Sequence, residues 1–433
     1  MTLELPSGQP VEVGIPRVSV LPTGARVLSE AMPTAHSVSL GLWLPVGSRD
    51  ESPQHLGATH FLEHLLFKGT ATLSAWQIAE AFDRVGGEAN ALTSKEFTCY
   101  HTRLLARDLP MAVEVLSDMV TSAALDSGEF EVERGVILEE LAMSADDPVD
   151  VVGEAFAKAV FGSSALARPI GGTPASIREQ SRNGVYDHYR AHYQPSRLVV
   201  TAAGAVDHEA LVGLVERALE QGGWGLSDAG GSAPLPRRSS AQAGGELAGG
   251  VQDVVVHRPV EQAHVMMGCA GLTATDPRRY VLGVLSTVLG GGMSSRLFQQ
   301  IRERRGLAYS VYATTDLHSD AGAFGLYAGC APGAASQVRE LMESIWADLA
   351  TNGVTAAELE RAKGQISGGT VLALEDPAAR MNRLGLAELV TGRWLTVDQV
   401  LAKIDAVTAE EVQALAQELV NRPRSQVQVV PTT

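Results

Sequence analysis

The chain has 433 residues, of which 45% are hydrophobic and 19% are charged, and its formal net charge is -16. That length exceeds what one ordinary hydrophobic core supports, so two or more domains are expected. The acidic balance argues against a sequence-independent grip on nucleic acid, because phosphate binding requires clustered Lys and Arg.

The N-terminal segment lacks a basic stretch followed by an apolar region, so we predict no secretory signal and a cytoplasmic location. No apolar run approaches the roughly eighteen residues of a membrane-spanning helix, so no membrane partner is expected. Three cysteines, Cys99, Cys269 and Cys330, stand at wide spacings beside apolar or aromatic residues. We predict that they are buried free thiols with a structural role.

The first half of the chain reads as a mixture of strands and helices. Alternating apolar residues from Ser37 to Leu44 predict a strand, which leads through a turn into a helix. A β-rich stretch, ANALTSKEFTCYHTRLL, follows, and long helices are predicted at 108–124 and 127–145. The pair Asp147-Pro148 ends this stretch.

A stretch rich in Gly, Ser, Ala and Pro, residues 221–250, is predicted to be a linker. It separates a first domain, residues 1–220, from a second, residues 251–433, and each has an ordinary domain size. The second half repeats the order of elements, including an Asp-Pro pair at Asp376-Pro377. We predict an α+β fold of two homologous domains, each an antiparallel sheet with helices packed on one side.

A polar triplet interrupts the helix in LGATHFLEHLLFKGT. His60, Glu63 and His64 fall at positions i, i+3 and i+4, so they project from one helix face. Two imidazoles one turn apart can both reach a tetrahedral Zn²⁺ at about 2.0 to 2.1 Å, and the neighbouring Glu can accept a proton from a bound water. The alternatives are a buried His-Glu-His hydrogen-bond cluster and a solvent-facing polar stripe.

The second half provides an internal control for this triplet. If Gly69 is aligned with Gly290, the three positions fall on Val281, Val284 and Leu285. The equivalent helix face is therefore apolar in the second half. The helix does not need polar residues there in order to pack, so some other requirement placed them.

A catalytic zinc requires a third protein ligand. The segment EFEVERGVILEELAM offers Glu133 and Glu140, which are two helical turns apart and share a face, whereas Glu139 points about 100° away from Glu140. One of the pair is expected to bind a single Zn²⁺ per chain, and the other to orient a histidine through its free N–H. The spacing alone leaves open which residue does which.

Three segments together, HFLEHLLFKGT, GGEANALTSKEFTCYHTRLL and ERGVILEEL, resemble the successive N-terminal motifs of the pitrilysin-insulinase metallopeptidases. The likeness is greatest to the short bacterial branch that resembles mitochondrial processing peptidase. In the second half, GGGMSSRLFQQIRERRGLAYSVYA resembles that family's substrate-clamping segment. The resemblance implies a zinc metalloendopeptidase whose two halves close as a clamshell on short or unfolded peptides.

The resemblance also implies roles for individual residues of the first half. It places the zinc ligands at His60, His64 and Glu140, and the general base at Glu63. Glu133 matches the carboxylate that supports a ligand from behind.

Further roles implied by the resemblance concern substrate binding. The Arg and Tyr that engage the substrate and polarise its scissile carbonyl fall on Arg302 and Tyr309, while Asn90 and Ala91 match residues of an edge strand that pairs with extended peptide. The alternatives are a turn residue at Asn90, a solvated helix face at Arg302 and a core aromatic at Tyr309.

The resemblance implies an assembly as well, because short members of that family work as pairs. Since this chain carries both motif sets, a homodimer is expected. Two other classes are weighed against the peptidase: a non-catalytic peptide-binding or scaffold subunit of a processing-peptidase-like complex, and a purely structural zinc protein. The intact motif set disfavours the first, and the lack of a fourth protein ligand at a convincing spacing disfavours the second.

Overall fold

The computed structural model describes residues 2–4, 10–12, 16–225, 233–234, 237–238 and 252–432, so most of the predicted linker at 221–250 lies outside the described residues. The strands and helices of the first part are, in chain order, β1 (Thr2–Glu4), β2 (Pro10–Glu12), β3 (Arg17–Val20), β4 (Arg26–Ala31), β5 (Ser37–Leu44), α1 (Ala58–Leu66), α2 (Ala75–Asp83), β6 (Glu88–Thr93), β7 (Thr98–Leu105), α3 (Leu109–Ser122), α4 (Ser127–Asp146), α5 (Pro148–Phe161), α6 (Pro174–Glu179), α7 (Arg182–His192), β8 (Val199–Gly204) and α8 (His208–Leu219). Those of the second part are β9 (Gln252–Arg258), β10 (Ala263–Ala270), α9 (Arg279–Gly290), β11 (Ala308–Leu317), β12 (Gly322–Cys330), α10 (Ala335–Asn352), α11 (Ala356–Ala373), α12 (Pro377–Val390), α13 (Val397–Asp405), α14 (Ala409–Val420) and β13 (Arg424–Pro431).

The chain forms two compact units, and each unit is built from three separate stretches. The first unit contains Met1–Leu141, Pro169–Arg237 and Leu372–Thr396, and the second contains Ala142–Arg168, Arg238–Val371 and Val397–Thr433. The sequence predicted continuous domains, whereas the units exchange a helix: α5 belongs to the second unit and α12 to the first.

The first unit contains a sheet in the order β3-β4-β8-β5-β7-β6, with β6 at one edge. Neighbouring strands are antiparallel except β4 and β8, which are parallel. Both faces of this sheet are covered. Leu40 and Leu42 of β5 face the core that contains α1 and α3, whereas Trp43 packs with Met381 and Leu384 of α12.

The second unit contains a sheet in the order β11-β12-β10-β13-β9, in which β13 and β9 are the parallel pair. Val265 and Met267 of β10 face the core formed with α9, α10 and α14, while Met266 faces Phe156 of α5. The predicted two-domain α+β fold is therefore confirmed, with two corrections. Each sheet has one parallel pair, and each is covered by helices on both faces because the exchanged helix fills the second face.

The two Asp-Pro pairs begin the exchanged helices. Asp147 caps α5 by accepting a hydrogen bond from the Val149 amide at 2.7 Å, and Asp376 caps α12 through the Ala378 amide at 3.1 Å. The proline that follows occupies the first helical turn in both units, where its missing N–H leaves no hydrogen bond unmade. The same local signal thus starts the same structural element twice.

One further expectation is resolved by burial. Cys99, Cys269 and Cys330 are buried free thiols, as predicted. Across the described residues, no helix combines the length and the apolar character needed to cross a membrane.

Candidate metal centre

Helix α1 is held firmly at its N-terminus, one turn before the polar triplet. The buried Glu51 carboxylate accepts hydrogen bonds from the backbone amides of Gly57 and Thr59, both at 2.8 Å. A carboxylate at this end also interacts favourably with the helix dipole. Gly57 adopts φ of 88°, and a Cβ there would lie 2.7 Å from the carbonyl oxygen of Gly171. The start of α1 therefore requires glycine and is fixed in orientation.

The two histidines of α1 and one glutamate of α4 converge. His60 Nε2 and His64 Nε2 lie 3.7 and 3.4 Å from Glu140 Oε2. Donor atoms around a tetrahedral zinc, each at about 2.0 to 2.1 Å from the ion, are roughly 3.3 Å apart. Within the described residues, this is the one group of three or more His, Cys, Asp or Glu side chains whose ligand atoms lie this close together. The donor set and its spacing fit zinc.

The charge state of His60 also suits a metal ligand. Burial and the neighbouring His64 lower the pKa of His60 to about 4, although Glu140 acts in the opposite direction. At neutral pH the imidazole is therefore uncharged and has a lone pair to offer. His60 Nδ1 is buried and has no hydrogen-bond partner among the described groups.

Glu133 holds the other histidine from behind. Glu133 is 2% exposed, with Oε2 at 2.9 Å from His64 Nδ1 and Oε1 at 2.7 Å from Lys68 Nζ. Burial raises the pKa of Glu133, but Lys68 and His64 outweigh that effect, so its pKa is lowered. A carboxylate at this position fixes the orientation of the His64 ring and leaves its Nε2 atom facing Glu140.

The geometry separates the two glutamates that helical spacing could not distinguish. Glu140 faces both Nε2 atoms, whereas Glu133 lies behind His64 on the Nδ1 side. Glu139 is exposed, as its predicted direction requires. Sequence reasoning missed Lys68, although its position one helical turn beyond His64 was an available signal.

Glu63 lies on the same helix between the two histidines and is half-buried. Among the described residues its carboxylate takes part in no hydrogen bond or ion pair. Burial lowers the pKa of His101 on β7, and the nearby Glu63 carboxylate offsets part of that shift. His101 is a second residue that sequence reasoning missed, because one histidine in a strand carries no pattern.

The predicted edge-strand residues lie on β6, as expected. Asn90 is directly opposite His101 in the β6–β7 ladder and is exposed, while Ala91 is half-buried against the core of the first unit. Because β6 is an edge strand, one side of its backbone is not paired within the sheet. Asn90 is therefore a strand residue and not a turn residue.

Arg302 and Tyr309 are brought together in the second unit. Arg302 Nη1 donates to the Tyr309 carbonyl at 2.8 Å, and its guanidinium carbon lies 4.4 and 4.7 Å from the ring centres of Tyr309 and Phe298. Tyr309 is 77% exposed, which excludes a core role. Arg302 is thus a stacked, oriented cation and not a freely solvated one.

Fold and site together define a two-unit α+β protein with a His-Glu-His site on one helix. The family described as Insulinase (Peptidase family M16) matches residues 26–174, and the one described as Peptidase M16 inactive domain matches residues 181–366. The chain therefore belongs to peptidase family M16, the insulinase family, as the resemblance indicated. The second region contains α9, in which the triplet is replaced by apolar residues.

Relatives match over most of the chain. A protein named an uncharacterized zinc protease from Streptomyces coelicolor is 47% identical over 95% of this chain and 88% of its own length. Another with that description from Mycobacterium tuberculosis is 44% identical over 94% and 91%. The uncharacterized zinc protease YmxG of Bacillus subtilis is 37% identical over 92% and 93%.

Solved structures show the same fold at low sequence identity. A protease from Helicobacter pylori superposes with a TM-score of 0.87 at 22% identity, over 97% of this chain and 100% of that one. A peptidase M16 inactive domain from Pseudomonas fluorescens gives 0.84 at 18% identity, over 97% and 98%.

Proposed function

We propose that the chain is a zinc metalloendopeptidase that hydrolyses internal bonds of short or unfolded peptides. The observation that carries this proposal is the convergence of both Nε2 atoms on Glu140, with the unpaired Glu63 carboxylate on the same helix. Family membership and the zinc protease names of the relatives support it. His60, His64 and Glu140 would hold one Zn²⁺ per chain.

The chemistry that zinc supplies when bound is Lewis-acid activation of a water nucleophile. Glu63 accepts the proton of that water and later returns it to the leaving amine. No hydrogen bond or ion pair within the described part of the chain engages this carboxylate, which keeps it available for both transfers. Glu133 accepts a hydrogen bond from Nδ1 of His64, which leaves the Nε2 lone pair of that ring directed toward Glu140.

In this proposal the substrate binds as an added strand on β6, at Asn90 and Ala91. Support comes from the edge position of β6 and from the packing of α1 against it. Backbone hydrogen bonds would dominate, so selectivity for side chains should be loose. From the family resemblance we assign a substrate-binding role to Arg302 and Tyr309, where an exposed phenol and an oriented cation could stabilise an oxyanion.

We also propose that the chain works as a homodimer in the cytoplasm. The support is the presence of both motif sets in one chain, together with the pairing implied by the family resemblance. The mass in solution at about micromolar concentration tests the first part. A fully active monomer would contradict it.

The proposed activity is tested with a varied set of internally quenched peptides, before and after treatment with a chelator and after zinc is added back. We expect turnover to vanish with the chelator and to return with zinc. Glu140→Gln should abolish zinc binding and turnover, whereas the matched control Glu139→Gln should keep both. Stoichiometric zinc without turnover on any peptide would favour a non-catalytic peptide-binding subunit.

A further inference from the structure

A charged pair lies directly behind one of the two histidines. Lys68 Nζ is 2.7 Å from Glu133 Oε1, and Glu133 Oε2 is 2.9 Å from His64 Nδ1. The Glu133 side chain is almost fully buried, whereas the Lys68 side chain is 33% exposed. The three groups form a line from the surface to the histidine, in which Lys68 and Glu133 form an ion pair and Glu133 and His64 a hydrogen bond.

Glu133 depends on Lys68 for its charge balance. A buried carboxylate is costly unless it is paired and its oxygens are hydrogen-bonded. His64 Nδ1 contacts Oε2, and Lys68 places a positive charge beside Oε1. Without Lys68, Oε1 would be buried without an ionic partner and the carboxylate would turn toward solvent, which would weaken its hold on His64 Nδ1.

Only one of the two histidines is supported in this way. His60 Nδ1 has no hydrogen-bond partner among the described groups, whereas His64 Nδ1 faces Glu133. The orientation of the His64 ring therefore depends on the pair behind it. If the contact between Glu133 and His64 is lost, the His64 ring should turn more freely, and its Nε2 atom should no longer be held toward Glu140.

We propose that Lys68 is a positioning residue of the metal centre, which acts through Glu133 to hold His64 with its Nε2 atom toward Glu140. This inference rests on the proposed function, in which His64 is a zinc ligand. Among the described residues, the ion pair of Lys68 is with Glu133 and not with His60, His64 or Glu140. Lys68 fixes a tautomer and a ring orientation through one intervening carboxylate.

Two other roles for Lys68 make different predictions. A cation acting directly on the metal through space would oppose Zn²⁺, so its removal would tighten zinc binding. A purely structural tie between α1 and α4 would affect stability without changing the His64 tautomer. The proposal predicts weaker zinc binding and a changed tautomer, both dependent on Glu133.

The first experiment measures the zinc affinity of the purified full chain by competition with a chelating indicator. Lys68→Met keeps the aliphatic stem and should weaken zinc binding about tenfold. Loss of a residue that hydrogen-bonds to a metal ligand typically weakens metal binding by about 10- to 100-fold, and Lys68 acts one residue further away. Lys68→Arg should restore most of the loss, and Lys158→Met on the exposed side of α5 should cause none.

A double-variant cycle tests whether Lys68 acts through Glu133. In a Glu133→Gln background, Lys68→Met should cause no further loss of zinc affinity, because the intermediate carboxylate is already neutral. Independent, additive losses would overturn the proposal. Tighter zinc binding by Lys68→Met in the wild-type background would also overturn it, in favour of a through-space effect.

The second experiment needs neither zinc nor peptidase activity. Metal-free protein with ¹⁵N-labelled histidine is compared by NMR, with His64→Gln to assign the resonances. We expect the Nδ1–H tautomer of His64 in the wild type and in Lys68→Arg, and a mixture of tautomers in Lys68→Met. An unchanged tautomer in Lys68→Met would refute the inference. Failure of wild-type protein to bind zinc or cleave peptides would count against the proposed function alone.

Discussion

Helices α1 and α9 follow equivalent strands of the two units, β5 and β10, yet they carry opposite chemistry on the same face. In α9 that face consists of Val281, Val284 and Leu285, all buried in the core of the second unit. The α9 face shows what packing alone selects at this place in the fold. The polar triplet of α1 is therefore a departure from the packing solution and requires compensation.

The compensation is visible around α1. Glu51 caps the start of the helix, Glu133 and Lys68 support His64, and Glu140 faces both imidazoles. These groups are polar, buried or half-buried, and two of them, Glu133 and Glu140, come from α4. Polar residues at positions that packing would make apolar, together with charged groups that compensate them, are expected at functional sites. Substitutions at matched positions of α1 and α9 test how far the two helices differ.

The largest expected effect is on turnover. It concerns Glu63 of α1, whose equivalent in α9 is the apolar Val284. Glu63→Gln preserves the shape but cannot take up the proton, so kcat should fall by about 10² to 10⁴. Zinc content should not change, because Glu63 is not a proposed ligand. Turnover of quenched peptides and metal analysis of the same preparation check this. Glu80→Gln, exposed on α2, is the matched control, and full activity in Glu63→Gln would end the assignment.

The reverse change places the acid on the apolar helix. Val284 is fully buried, so Val284→Glu would bury a carboxylate with no partner and should destabilise the protein by about 3 to 5 kcal/mol. Denaturant unfolding measures the loss. Ser286→Glu on the half-buried side of α9 should cost far less. If Val284→Glu and Ser286→Glu both caused the same small loss of unfolding free energy, the buried face of α9 would tolerate charge. The apolar residues there would then not explain why α1 and α9 differ.

Zinc should stabilise the chain only while α1 keeps its histidines. At a free zinc concentration about a hundred times the dissociation constant, binding should add about 2.7 kcal/mol to the free energy of unfolding. The variant His60→Val with His64→Leu gives α1 the residues of α9 at these positions and should show no zinc-dependent rise in Tm. Thermal melts with and without zinc test both proteins. A similar rise in the variant would place the zinc elsewhere.

Sequence reasoning reached the triplet and the two-unit α+β fold because both rest on local periodicity. Helical spacing left Glu133 and Glu140 unresolved, since residues two turns apart share a helix face, and only the family resemblance assigned them separate roles. What distinguishes them is which nitrogen of His64 each one faces, and that depends on how α4 packs against α1. Lys68 was missed for a related reason, because its partner Glu133 lies on another helix.

The exchange of helices was also beyond the reach of local signals. Asp147 and Asp376 mark where α5 and α12 begin, and each caps its helix as such a residue should. A cap does not indicate which sheet the helix will cover. That choice is set by non-local apolar contacts, such as those of Trp43 with Met381 and Leu384.

The smallest expected effect concerns a second histidine contact of α1 that α9 lacks, since Thr59 corresponds to Tyr280. The Thr59 hydroxyl lies 3.0 Å from His188 Nε2. Burial, together with His192 and His55, lowers the pKa of His188 to about 3. The unfolded chain binds a proton below the ordinary pKa of 6.5, while the folded chain resists it until about 3. His188 therefore adds stability above 6.5 that is lost as the pH falls toward 3.

This contribution is isolated by comparing metal-free wild type with His188→Asn between about pH 7 and about pH 5. A single proton of this kind gives a slope of at most about 1.4 kcal/mol per pH unit. The wild type should lose stability more steeply than His188→Asn as the pH falls, and His36→Asn, at an exposed position, should follow the wild type. His60 contributes equally to all three proteins, so only the difference in slope is informative. Parallel curves for wild type and His188→Asn would mean that the folded chain protonates His188 as readily as the unfolded chain does, and at low pH the contact with Thr59 would then form with a charged imidazole.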